Sequence, residues 1–279
     1  MSIVLRIKDA AERLTPSERK MVQEIVAKPR DAALGTASNL AQSIGVHEAT
    51  ASRLARKLGF ESYAGFRDAL REEFIVRSDP AVRIRTTLED TRGADLVAEL
   101  VAQEAAALQT LPKYLSGERI GQIAGELQRA RKVFIFARGN AETLAVMMER
   151  RLRRFGMSVV RLRGDGRDLA EQLVELTSDD AVLAFAFRRQ PRHYSPVLEH
   201  ARSLGAPTIA IAGAIGATLK PAADHLLSAP RSGRREGFQS LIVPMTICNA
   251  LVLQLARRSE TRSLRVLESL GELIKQFET

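Results

Sequence analysis

The chain is poor in several things that would each commit it to a particular class. A single cysteine, Cys248, in 279 residues excludes a disulfide framework and a thiolate-rich zinc site. Tryptophan is absent, and aromatic residues make up only 5% of the chain. No uninterrupted stretch of about 18 apolar residues occurs, so no membrane-spanning helix is expected. The N-terminus, MSIVLRIKDAAERL, alternates charge with apolar residues and lacks the apolar core and small-residue cleavage site of a secretion signal. A cytoplasmic location is expected. What the chain has is 45% hydrophobic residues and 27% charged residues, the composition of one to three globular domains.

The net charge of +9 comes from 42 basic and 33 acidic residues and favours a polyanionic partner. Residues 1–80 hold 13 basic and 11 acidic residues, a surplus of only two, so nucleic-acid binding there requires a local patch.

The texture changes along the chain. Residues 1–77 read as short helices. Thr15-Pro16-Ser17-Glu18 is a capping box with proline at the first helical position. Met21, Val22, Ile25 and Val26 follow at helical spacing, and Pro29 ends the run. Helical stretches at 37–43 and 47–58 flank Ile44-Gly45-Val46, and a further helix spans about 63–76. Ser78-Asp79-Pro80 reads as a hinge, opening a helical linker over 78–116 with a long run at about 94–115; a further helical run at 117–130 follows it.

From residue 132 onward, short apolar runs alternate with helical ones. Val133–Ala137, Val159–Leu162, Ala181–Phe187, Thr208–Ala212 and His225–Leu227 are the strand candidates. Such alternation predicts a doubly wound parallel five-stranded sheet, covered by helices on both faces. Helices at about 236–257 and 260–277 close the chain. The fold class expected is thus an all-α domain over 1–77 followed by an α/β domain over 117–279.

Residues 37–56, ASNLAQSIGVHEATASRLAR, match a helix-turn-helix at fixed offsets. Ala41 is small where two helices cross, Gly45 supplies the turn, and Leu40, Ile44, Val46, Ala51 and Leu54 are apolar where the motif buries side chains. The second helix then enters a major groove N-terminus first. Its candidate DNA contacts are His47, Thr50, Ser52, Arg53, Arg56 and Lys57. Arg53 and Arg56 are suited either to bidentate reading of guanine or to holding phosphate. His47 stands where a Ser or Thr cap is usual, and either contacts DNA or is merely tolerated there.

Together, LTPSERK at 14–20, the helix-turn-helix, and RKLGF at 56–60 make the chain resemble the RpiR family of bacterial transcriptional regulators. The resemblance implies an N-terminal helix-turn-helix joined to a C-terminal sugar isomerase (SIS) domain. It also implies a homodimer or homotetramer whose affinity for a double-stranded DNA operator changes when a sugar derivative binds. Ligand in such a domain sits at the C-terminal ends of the first and third strands, against Gly-x-Gly-x-Ser and Ser-x-Ser-Gly loops. The corresponding positions here are Ala137-Arg138-Gly139-Asn140-Ala141 and Ala186-Phe187-Arg188-Arg189. The hydroxyls are gone and guanidinium groups have appeared.

The location of the site therefore carries over, with a different grip: Arg138, Gly139, Asn140, Arg188 and Arg189 around a small anionic sugar derivative, since guanidinium forks suit carboxylate and phosphate. Ion pairing with local acids or across a subunit interface is the other reading of these arginines. Glu236 falls near the start of the long apolar helix, where a carboxylate caps or lies beside the ligand.

No catalytic pair, cofactor motif or metal-ligand spacing stands out. His193, His200 and His225 lack a recognisable carboxylate partner. The sequence 163–167, RGDGR, lacks the Walker lysine and reads as a turn, and Cys248 reads as helix packing. A ligand-responsive DNA-binding regulator of carbohydrate genes is the expected function; an SIS-type sugar-phosphate isomerase with an accessory domain is the alternative.

Overall fold

The computed structural model describes residues 3–74, 80–233 and 237–278. They form two compact units, one from residues up to Asp95 together with a short piece ending at Phe238, the other from Leu96 to Gly233 and from Gln239 onward.

The first unit is all helical: α1 (Ile3–Ala10), α2 (Pro16–Ala27), α3 (Pro29–Leu34), α4 (Ala37–Ser43), α5 (Ala49–Lys57), α6 (Tyr63–Phe74) and α7 (Pro80–Asp90). The α2 capping box forms as expected: the Thr15 side chain accepts from the Glu18 N–H while the Glu18 carboxylate accepts from the Thr15 N–H. Thr36 and Asn39 repeat the device at α4. Apolar residues three and four apart turn inward as one core, with Met21, Ile25, Leu54, Phe66 and Leu70 all buried. Each such side chain contributes roughly 1.5–3 kcal/mol by leaving water.

Two prolines also start helices. Pro29 ends α2 as expected and also starts α3, and Pro80, the last residue of the expected hinge, begins α7. Both occupy the first helical turn, where a missing N–H costs nothing. Of the expected hinge, Ser78 and Asp79 lie outside the described residues.

The second unit opens with α8 (Leu96–Thr110) and α9 (Gly117–Arg129). Five strands follow: β1 (Lys132–Phe136), β2 (Ser158–Leu162), β3 (Ala181–Ala186), β4 (Thr208–Ala212) and β5 (His225–Ser228). They pair in parallel throughout, in the order β2-β1-β3-β4-β5. Between them run α10 (Glu142–Arg153), α11 (Gly166–Leu173) and α12 (Tyr194–Ser203); α13 (Ile242–Arg258) and α14 (Glu260–Phe277) end the chain.

Alternation along each strand splits the core in two. Ile135, Leu183, Phe185, Ile209 and Ile211 face α9, α10 and α13. Ala184, Ala186, Ala210 and Ala212 face α11 and α12, where their small size lets Tyr194 and Leu198 approach. The doubly wound parallel sheet expected from strand-helix alternation is present. One boundary moves: the long apolar helix starts at Ile242 rather than near 236. Among the described residues no helix is long and apolar enough to cross a membrane.

Candidate functional site

Two places carry chemistry. The first is α5. Gly45 sits at φ +66° in the turn after α4, a conformation that glycine adopts at little cost, and the Val46 N–H donates to the Ala41 carbonyl at 3.0 Å. The helix that follows buries Thr50, Ala51, Leu54 and Ala55. Residues 49, 52, 53 and 56 share the opposite face by helical periodicity. Arg53 and Arg56 are exposed there, with Ser52 half-buried at their side, and His47 and Glu48 exposed just ahead.

His47 has a definite local role: its Nδ1 accepts the Ala49 N–H at 3.2 Å, one residue ahead of the N-cap Glu48, whose side chain makes no capping bond.

Two of the expected DNA-contact residues are placed differently. Thr50 is buried, only 5% exposed, because it falls on the inward face beside Ala51 and Leu54. Lys57 turns away from the exposed face: its Nζ donates to Glu18 Oε2 at 2.7 Å and to the Arg13 carbonyl at 3.0 Å. A second cation pins the same end of the helix. Arg6 Nη1 donates to the carbonyls of Leu58 (2.9 Å) and Gly59 (3.2 Å), and its guanidinium lies 4.7 Å from the Phe60 ring. Burial pushes the Glu18 carboxyl up, but hydrogen bonds from Lys57 and Thr15 outweigh it and hold the group below the usual glutamate range. The last turn of α5 is thereby fastened to α1 and α2.

The second place is the carboxyl end of the sheet. The strand order reverses direction between β1 and β3, the position where open α/β sheets bind ligands. Gly139, at φ +61°, turns the chain from β1 into a short 3-10 segment leading to α10. Its N–H donates to Glu142 Oε1 at 3.1 Å, and Asn140 is exposed.

Arg138 does not reach out as an arm. Its guanidinium donates to the carbonyls of Ala137 (2.9 Å), Leu162 (3.1 Å) and Gly164 (2.7 Å) and stacks 4.7 Å from the Phe136 ring, clasping the ends of β1 and β2. After β3, Arg188 is half-buried and Arg189 exposed. Glu236 lies outside the described residues.

The same end holds groups that local pattern alone did not assign. Arg231, in the loop after β5, lies 5.2 Å from the Phe187 ring and donates to Gln239 Oε1 at 2.6 Å. Its neighbour Ser232 is buried and donates to Glu104 of α8 at 2.5 Å. The signal for Glu104 was present: it interrupts the i+4 series Leu96, Leu100, Leu108, an acid inside an apolar stripe. In the 163–167 turn, Asp165 lies 2.5 Å from His193 Nε2 and 3.3 Å from Arg192, joining the loops after β2 and β3. Among the described residues no cluster of His, Cys, Asp or Glu is placed to hold a metal ion.

A helix-turn-helix with an open polar reading face, on a chain that also carries a doubly wound α/β unit, defines a two-part DNA-binding regulator with a ligand-sensing half. Comparison with known proteins agrees. The helix-turn-helix domain of the rpiR family matches residues 1–76, and the SIS domain matches residues 126–254. An HTH-type transcriptional regulator of Haemophilus influenzae is 22% identical over 239 residues, 85% of this chain and 83% of its own length.

Two solved structures share the fold. The sugar isomerase domain of the RpiR transcription factor from Sphaerobacter thermophilus covers 63% of this chain and 98% of its own, with a TM-score of 0.58 and 23% identity. The Vibrio vulnificus NanR protein complexed with ManNAc-6P covers 99% of both chains, with a TM-score of 0.60 and 18% identity. The chain thus joins an N-terminal helix-turn-helix domain that matches the rpiR family to a C-terminal SIS domain. These two domains together are those of a ligand-responsive DNA-binding regulator.

Proposed function

We propose that the chain controls carbohydrate genes from the cytoplasm as a homodimer or homotetramer, with residues 1–77 reading an operator, 78–116 linking, and 117–279 sensing an anionic sugar derivative. The observation that carries the reading is the division of α5 into a buried apolar face and an exposed face bearing Ser52, Arg53 and Arg56. These three, with His47 at the leading end, contact double-stranded DNA. The two arginines supply base reading and phosphate neutralisation. Thr50 and Lys57 hold the helix rather than touch DNA.

A single head with so few cations binds weakly, so two heads on half-sites about 34 Å apart provide the affinity. Exposed apolar residues on α14 (Leu264, Leu267, Leu273, Ile274) support association through that helix. Arg188 and Arg189, with Gly139 and Asn140 across the crevice, receive the anionic group of the effector, while Arg138 shapes the crevice wall. Only a difference in effector affinity between the DNA-competent and DNA-incompetent arrangements shifts the population.

Gel retardation with the DNA upstream of the chain's own operon tests this. Sequence-specific retardation that weakens steeply with salt, and changes on adding a sugar phosphate or sugar acid, is expected. Equal retardation of unrelated DNA, or none at low salt, would overturn it.

A further inference from the structure

Glu18, Glu104 and Asp180 are carboxylates buried among the described residues. Glu18 and Asp180 are each met by several donors, a lysine or arginine among them. Glu104 is not. It is 6% exposed; one oxygen accepts from Ser232 Oγ, and the other, Oε2, is sealed from solvent with no hydrogen-bond partner. A carboxylate oxygen buried without a donor is costly, and such a group calls for an explanation.

Its position suggests one. Ser232 belongs to the loop after β5, and the adjacent Arg231 lies over Phe187, the residue that directly follows β3. Glu104 is therefore tied to the same end of the sheet as Arg188 and Arg189.

The geometry points to a two-part effector site in which Glu104 Oε2 accepts an N–H or O–H from the ligand while arginine at the end of β3 takes the ligand's anionic group. This deepens the effector site proposed above and rests on it. The ligand class follows from the chemistry. A bare anion engages only the arginine end of the site and leaves Glu104 unmet. A sugar phosphate whose hydroxyl or amino group lies within reach of the carboxylate satisfies both. An amino group does so most strongly, because its charge offsets that of the buried carboxylate.

Thermal shift of the full-length chain with inorganic phosphate, glucose 6-phosphate and glucosamine 6-phosphate tests the assignment. The two sugar phosphates are expected to bind more tightly than inorganic phosphate, glucosamine 6-phosphate the more strongly of the two. Glu104→Leu is expected to abolish the preference while leaving the weak response to inorganic phosphate intact. Glu104→Gln, which keeps shape and an acceptor for Ser232, decides the matter if the leucine variant fails to fold. Roughly tenfold weaker binding of glucosamine 6-phosphate is expected for it.

Retention of the wild-type preference in these variants, or a wild-type chain that responds to neither sugar phosphate beyond inorganic phosphate, overturns the assignment. Retardation of DNA by the unliganded chain, measured alongside, reports on the regulator reading separately.

Discussion

Lys57 Nζ lies 2.7 Å from Glu18 Oε2, joining the last turn of the DNA-facing helix to the capping box of a helix 39 residues earlier. On the reading proposed above Lys57 positions the helix, so its replacement should disturb DNA binding without removing a phosphate contact. Lys57→Met and Glu18→Gln are expected to weaken operator binding several-fold, with the slope of log affinity against log salt unchanged. A slope reduced by about one in Lys57→Met would return that lysine to the DNA backbone.

Arg53 and Arg56 should behave in the opposite way. Alanine at either is expected to cost about 1–3 kcal/mol if the arginine reads a base, with relaxed preference at one operator position. If it holds phosphate, affinity falls evenly across sequences and the salt slope drops by about one. Fluorescence anisotropy over a salt series, with operator and scrambled DNA, separates these outcomes. Thermal stability should hardly move, because both side chains are exposed.

Gly45 has open space where a Cβ would go, so a substitution there is opposed by backbone conformation alone. Gly45→Ala is expected to destabilise the helical unit by about 1 kcal/mol, and Gly45→Asn by less, since asparagine tolerates positive φ better. Urea denaturation followed by circular dichroism checks the order of the two.

Acid should loosen both units through identifiable carboxyls. Burial raises the Asp180 carboxyl, but Arg131 and the Thr177 donors overcome this and hold it below the usual aspartate range, as Lys57 and Thr15 do for Glu18. In the acid range the unfolded chain then binds more protons than the folded one. The stabilisation is complete above the ordinary carboxylate values of about 4 and is lost as pH falls through the lower folded values. Melting temperature should therefore fall with pH below about 4, and Glu18→Gln and Asp180→Asn should each flatten that fall.

Cys248 is fully buried in α13, and its thiol is pushed up to about 12 by desolvation. Little thiolate exists at neutral pH. Ellman's reagent should leave the native chain unlabelled and react with one equivalent in guanidinium; rapid native labelling would mean that α13 opens readily.

Local chemistry was enough to locate most elements. The cap at Thr15, the glycine turn at Gly45 and the five apolar runs act over about four residues, so neighbours in the chain are the neighbours that matter. At Pro29 and Pro80 the same rules leave the following helix open, because proline ends one helix and starts another with equal ease, and the choice depends on what the next turn packs against. They are silent about where a long cation goes. Lys57 and Arg138 were open to a DNA or ligand role until partners 39 and 24 residues away came within reach. Those partners are set by how helices and strands bury their apolar faces, a cooperative outcome of the whole unit. Burying a charge is tolerable only where that outcome also brings a counter-group to meet it.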